Sequence, residues 1–421
     1  MKFRAMLLAL SALAALASAP VRADDAKPYA GQAITVLLPP WGTLPKTMTD
    51  RFHAATGIDV TIQTLGWDDI HAKILTSMVA GSAPADVTEV DWSWVGQFGS
   101  AGWYLPLQDK IDAKVIEDVA SSKIFRADGK LIGMPYSNDF RVLIVNKALL
   151  AKAGVAAPPT TMDELLAAAR AVKAKASVAY PIALPLSPSE GTATAWYLLT
   201  KAFGGDLFSA DNKPLFTTPD SAGYKALAWE IGALKDGLID PASTGLTDVQ
   251  VQEFFKNGQA AIDLAGWVGN LAVYNDAGKS KVAGDAVAAL MPSAVGKSRS
   301  FGLPEALGVP ANSQHQGAAV AFIAWWMQPE NQIEAYNTLG DLPTSTAVLK
   351  TLNEQGKLAS GSVLLQQIPT VEPLFANGTP GWYPQFSSAA SGAINQAAKG
   401  QLTVAQAVAQ IAKEAKQAMS Q

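Results

Sequence analysis

The chain has 421 residues, of which 49% are hydrophobic and 16% charged, with a net charge of −4 and no cysteine. With no basic stripe, nucleic acid is excluded as a natural partner. Without cysteine there is neither a disulfide nor a thiol for a lipid anchor, so the core alone must hold the fold.

The N-terminus reads as an export signal. Lys2 and Arg4 precede an Ala/Leu stretch over residues 5–17 that is too short to span a bilayer. Cleavage is expected after Val21-Arg22-Ala23. The rival site, Ala17-Ser18-Ala19, would leave Pro20 at the new terminus. Losing Lys2, Arg4 and Arg22 takes the charge from −4 to −7. The mature form, expected to be free in a bacterial periplasm, has about 398 residues, enough for two domains.

The first elements predicted are strand 34–38, the loop Pro39-Pro40-Trp41-Gly42, helix 45–55, strand 58–62, helix 67–80 and strand 86–90. Strand and helix alternating at this spacing predict a parallel sheet covered on both faces. Such sheets bind ligands beyond the carboxyl ends of their strands. Trp41 follows the first strand there, and Asp91 and Trp92 follow the third. Thr161-Met162-Asp163-Glu164 is a capping box opening an Ala-rich helix. Residues 182–186 read as a buried strand, followed by a loop through Glu190. A helix is expected from Thr218-Pro219-Asp220 to Gly237, a short strand over 260–264 with Gly266-Trp267 just beyond it, and helices over 384–399 and 403–418. No repeat or low-complexity linker interrupts the chain.

The tryptophans are the most informative residues. Of eleven, Trp41, Trp67, Trp92, Trp196, Trp267 and Trp382 fall at element ends or in loops. That position suits flat rings that stack on a ligand in a cleft. For each ring the competing explanation is ordinary packing. Motifs for chemistry are missing. His53, His71 and His315 are too scattered for a local zinc motif, and Gly278-Lys279-Ser280 and Gly296-Lys297-Ser298 lack the earlier glycine of a phosphate loop. There is no nucleophile elbow and no dinucleotide glycine pattern. No cofactor or metal is expected. A pair of carboxylates acting as a glycosidase stays open, because two acids from anywhere in a chain suffice.

Ala83-Pro-Ala-Asp-Val-Thr-Glu-Val-Asp-Trp92, followed by Gly99-Ser-Ala-Gly-Trp-Tyr-Leu-Pro-Leu107, resembles the third-strand signature of the family 1 extracellular solute-binding proteins of ABC sugar importers. The maltose-binding proteins are relatives of that family. Four more blocks follow in the family's order. These are Gly129 to Tyr136 leading into Arg141 to Leu150, Phe254 to Ile262 followed by Gly266-Trp267, residues 318–326 followed by Leu339-Gly-Asp-Leu-Pro-Thr344, and Ala397 to Ala407.

The resemblance implies an α/β fold of two lobes closing on ligand across an interlobe cleft, with crossing hinge strands near 137–139 and 303–308 and a third connection near 355. The expected division is a signal peptide at 1–23, one lobe of 24–137 plus 309–355, and a second of 138–308 plus 356–421. It also implies site residues. Trp267, after Gly266, matches a position that stacks on sugar. Asp139 matches an acidic contact at the first hinge. Glu190 matches an acid placed ahead of a stacking aromatic, with Trp196 in that role. The expected binding set is Trp41, Gly42, Trp67, Asp91, Trp92, Asn138, Asp139, Arg141, Glu190, Trp196, Gly266, Trp267, Glu305, Trp382 and Tyr383.

One departure from the maltose pattern is that the closing helix reads Phe386-Ser387-Ser388, with its aromatics earlier, at Trp382-Tyr383. The function implied is capture of a sugar, oligosaccharide or polyol by a monomer that delivers it to a membrane permease. An anionic sugar is the first rival and would need Arg141, Arg299 or Lys46 in the cleft. A secreted glycosidase and a surface adhesin are the others.

Overall fold

The computed structural model describes residues 27–376 and 378–420. The export segment read at 1–23 lies outside the described residues. The strands that build the site are β1 (Ala33–Leu38), β2 (Asp59–Thr64), β3 (Val87–Asp91), β4 (Met134–Ser137), β5 (Leu143–Asn146), β6 (Ile182–Ala183), β7 (Ile262–Asp263), β8 (Ala286–Ala289) and β9 (Glu305–Gly308). They form a five-stranded sheet in the order β2-β1-β3-β9-β4 and a four-stranded sheet in the order β8-β5-β7-β6.

The first three strands are parallel, as their alternation with helices predicts. The first helix, α1 (Lys46–Thr56), follows Pro45 and is capped by Gly57, and α2 (Trp67–Val79) connects β2 to β3. Neither sheet is wholly parallel. β9 runs antiparallel between β3 and β4, and β5 runs antiparallel to both its neighbours.

The second sheet is covered on both faces, and β5 shows how. Leu143 and Val145 point into the large core cluster, while Ile144 belongs to a second cluster with Phe140, Val142, Tyr274 and Ala288. This is the period-two alternation of a strand. The Thr161 capping box forms as read and starts α3 (Met162–Lys175). Two boundaries differ. Of the strand expected at 182–186 only β6 pairs, and Pro185 has no N–H with which to continue a ladder. The helix expected from Thr218 starts later, because Ser221 donates its backbone N–H to the Thr218 carbonyl in a turn. That helix, α5 (Ala222–Lys235), packs on α4 (Glu190–Ala202).

Three stretches cross between the sheets. The first runs from β4 to β5, the second from Phe301 to Glu305, and these two are bonded to each other. Arg141 N–H donates to the Phe301 carbonyl at 3.0 Å and Leu303 N–H to the Asp139 carbonyl at 2.8 Å. The third is at residues 342–345, where Leu342 accepts from Asn138 N–H at 2.9 Å and Thr344 Oγ1 donates to the Pro135 carbonyl at 3.0 Å.

The expected boundaries need correction at two places. Residues 305–308, expected in the second lobe, are β9 of the first sheet. Helix α6 (Thr346–Glu354), expected in the first lobe, puts Val348, Leu349 and Leu352 into the cluster around Ile144. The third crossing therefore comes before α6, not near 355.

The second lobe also buries an acid. Glu230 on α5 is 1% exposed, neither of its oxygens has a hydrogen-bond partner, and burial holds its carboxyl well above the usual carboxylate range. Glu230→Met keeps the volume and removes the orphaned polar group. It is expected to stabilise the protein by about 1–3 kcal/mol at pH 7 in urea melts. A lower midpoint in the variant would show that the carboxyl is favourably solvated.

Candidate functional site

Trp41 leaves the carboxyl end of β1 with its ring 46% exposed, the most exposed aromatic among the described large apolar side chains. Its indole Nε1–H donates to Glu305 Oε1 at 2.6 Å, which fixes the ring beside the start of β9. Glu305 Oε2 accepts from the Tyr136 hydroxyl at 3.1 Å. Gly42 is needed here because a Cβ would stand 2.5 Å from that hydroxyl. Tyr136 lies on β4, and next to it are two further acids, Glu89 on β3 and Asp341 ahead of the third crossing. Glu89 and Glu305 are both pushed well above the carboxylate range, first by burial and then by neighbouring negative charge. Burial alone lifts Asp341 to about 7.

The first crossing supplies Asp139 and Arg141. Burial raises Asp139 to about 6, although Arg141 pulls the other way from 3.7 Å. Arg141 is 5% exposed, and its guanidinium lies 5.3 Å from the centre of the half-buried Trp267 ring. A cation over an indole face is attractive and holds the ring in place. The Gly266-Trp267 turn is anchored from β7, where Asp263 accepts from Tyr274 at 2.7 Å and Asn270 at 3.1 Å. Gly266 permits that approach, since a Cβ there would overlap the Asp263 carboxylate at 2.1 Å. Trp41 with Glu305, and Asp139 with Arg141 and Trp267, thus form two bonded groups on either side of the hinge whose acids feel each other's charge, at the strand ends where the topology predicts a ligand.

Other expected contacts are already committed to the fold. Trp196 is fully buried, donates to the Gly223 carbonyl at 2.8 Å and meets Phe216 edge-on. It sits at an apolar position of a helix that is buried nearly all round, so it cannot stack on a ligand. Both oxygens of Glu190 are held by helix α7 (Tyr383–Ala398). Tyr383 donates to one, and Ser387 Oγ to the other at 2.5 Å. The pairing of Glu190 with Trp196 implied by the resemblance is therefore not formed. The Phe386-Ser387-Ser388 departure has its reason here: Phe386 is core and Ser387 ties down Glu190.

Tyr383 is buried with its hydroxyl used. Trp382 packs edge-on against Phe208 and Phe375. Trp92, 4% exposed, is wedged between Phe301 and Tyr383. Asp91 caps the turn Trp92–Trp94, accepting from Ser93 N–H at 2.8 Å and Oγ at 2.5 Å, and its second oxygen takes Trp67 Nε1–H at 3.1 Å. Trp67 in turn stacks on His71. Asn138 serves the hinge, its backbone N–H donating to the Leu342 carbonyl at 2.9 Å and its side-chain amide to the Pro343 carbonyl at 3.5 Å.

Of the cations considered for an anionic ligand, Arg299 is bound to Glu372 and Asp206 and Lys46 to Asp50, which leaves Arg141. Sequence reasoning missed Tyr136, Glu89, Asp341 and Asp263. Tyr136 and Asp341 lie inside the matched blocks, and Glu89 and Asp263 are acids inside apolar strands, which was the available signal.

Residues 41–333 match the family described as bacterial extracellular solute-binding protein. The chain belongs to that family. This solute-binding protein is 25% identical over 369 residues to "Probable amino-acid ABC transporter periplasmic-binding protein y4oP" of Sinorhizobium fredii, covering 83% of each chain. In fold it is similar to maltose-bound MalE3 of T. maritima, with a TM-score of 0.80 and 22% identity over 91% of this chain and 99% of that one. It is also similar to a ribitol complex from Agrobacterium radiobacter K84, with a TM-score of 0.79 and 20% identity over 93% and 99%. These likenesses give this solute-binding protein the two-lobe α/β fold. Among its described residues no helix is long and apolar enough to cross a membrane.

Proposed function

We propose that this protein is the periplasmic solute-binding component of an ABC importer for a sugar, oligosaccharide or polyol. In this reading it is cut after Ala23, works as a monomer, captures ligand between the lobes, closes and delivers it to the membrane permease without altering it. The observation that carries the reading is the hinge-side run from Trp41 to Trp267. It has an open indole on one lobe, a braced indole on the other and carboxylates between. Rings cover the CH faces of a sugar while carboxylates accept from its hydroxyls. The maltose and ribitol complexes of similar fold support the ligand class.

The lobes proposed are 27–137 with 305–341, and 142–301 with 345–420, the crossings lying between. Closure is driven by contacts that both lobes make only when shut. A free amino acid or a sugar phosphate fits less well, because the one cation left for an anionic group, Arg141, already lies beside Asp139 and over Trp267.

A thermal-shift screen of the chain from Asp24 against mono-, di- and trisaccharides, polyols, amino acids and sugar phosphates tests this. A ligand at about 100 times its Kd is expected to stabilise by about 2.7 kcal/mol, with compaction in small-angle scattering. A hit confined to amino acids or phosphates would overturn the ligand class. Hydrolysis of an oligosaccharide that is abolished in Asp139→Asn would overturn the transport role.

A further inference from the structure

The first-lobe wall of this cleft gathers more carboxyl groups than the protein pairs with cations or hydrogen-bond donors. Glu89, 1% exposed, makes no well-formed hydrogen bond through either oxygen and has only the neighbouring Tyr136 hydroxyl to turn to. The Tyr136 hydroxyl stands between Glu89 and Glu305 with one proton for the two of them: it donates to Glu305 at 3.1 Å and only partly offsets the burial of Glu89. Asp341, 8% exposed, has no partner for Oδ2, and Asp139 none for Oδ1. Glu305 feels Asp341, Asp139 and Asp91 as like charges. The cations nearby face elsewhere. Arg141 is held over Trp267 beside Asp139, and His71 stacks under Trp67.

Carboxylates crowded in a site of low dielectric are unstable as anions unless a positive charge joins them. Structural need does not account for them. A fold can carry one orphaned acid, as it does at Glu230, but crowding Glu89, Asp341 and Glu305 together adds mutual repulsion to the cost of burying each. Recognition of hydroxyls alone does not account for them either, because one or two carboxylates with free lone pairs serve that purpose.

We infer that the ligand is an amino sugar or amino polyol, whose ammonium group meets Glu305 with Glu89 and Asp341 behind it. The inference rests on the reading of the cleft as a sugar or polyol site. An ammonium has three donors to offer oxygens that lack them, and it neutralises the cluster at the same moment. The neighbouring Trp41 ring, oriented by the same Glu305, covers the carbon skeleton.

Titration calorimetry at pH 7 on the chain from Asp24 tests this with matched pairs. The pairs are glucose and glucosamine, galactose and galactosamine, sorbitol and glucamine, and cellobiose and fully deacetylated chitobiose. In at least one pair the amine is expected to bind about tenfold or more tightly than its neutral partner. N-acetylation, which removes the charge and keeps the skeleton, should abolish the advantage. In Glu305→Gln, with folding checked by its melting temperature, the amine-to-neutral ratio should fall towards one. If that variant does not fold, the N-acetyl comparison still decides. Neutral partners that bind equally or better would overturn the amine and leave the sugar reading standing. Absence of binding by every member of every pair would overturn both.

Discussion

Trp267→Ala is expected to lower affinity for the sugar or polyol by about 30-fold or more while leaving the melting temperature of the ligand-free protein nearly unchanged. The ring is half-buried, lies against the Arg141 guanidinium and belongs to neither core cluster, so its loss opens little core. Yet it is the one braced aromatic at the end of a second-lobe strand, and a ligand that stacks there loses both the area and the geometry. Trp196→Ala is expected to do the opposite. That side chain is fully enclosed, so truncation costs about 3–5 kcal/mol of stability, with the affinity of the folded fraction preserved. Calorimetry and urea melts on both variants separate the two roles. A binding defect in Trp196→Ala equal to that of Trp267→Ala would mean that the wrong indole has been assigned to the cleft.

The ligand-free protein is expected to be most stable in mild acid and to weaken as the pH rises through neutrality. Asp139 and Asp341 are raised to about 6 and about 7, and Glu89, Glu305 and Glu230 are raised as well, all chiefly by burial. In the unfolded chain these carboxyls ionise near pH 4. The folded state therefore holds protons that the unfolded state releases. The stability this confers is complete below about pH 4 and is lost as the pH climbs through the folded values. Asp341 alone accounts for on the order of 4 kcal/mol across that range.

Opposing groups set the lower limit. Asp211 is held at about 2 by Lys213 and Ser209, and Glu372 is lowered by Arg299 and Lys201 against its own burial. Their contribution is present above the unfolded values and fades in stronger acid. Urea melts from pH 4 to pH 8 should show a midpoint that declines steadily above about pH 5. A flat or rising midpoint would mean that the cluster is solvated or already neutralised.

The sequence was a good guide wherever local chemistry decides the outcome. The Thr161 capping box, Gly57 after α1 and the alternation of β1 to β3 with helices are all contained within a few residues, and each forms as read. The placement of Trp41 followed from strand polarity, and that of Trp267 from its glycine and strand together.

What failed depended on partners distant in the chain. Glu190 looks like a free loop acid until α7, nearly 200 residues on, supplies the two hydroxyls that occupy it. Trp196 lies in the middle of a helix, and only the return of α5 and Phe216 encloses it. Asp91 and Trp67 are both plausible ligand contacts singly, yet they satisfy each other. β9 was misassigned because a strand's sheet is set by its neighbours in space, which local periodicity does not record.

The position of β9 in the first sheet has a consequence for how the chain is made. β9 lies between β3 and β4, so those two strands make no direct ladder and the sheet has a gap until Glu305–Gly308 has been synthesised. The second sheet is inserted in the chain before that strand appears. About three quarters of the polypeptide must therefore exist before the first sheet can be completed. Such distant pairings make folding slow.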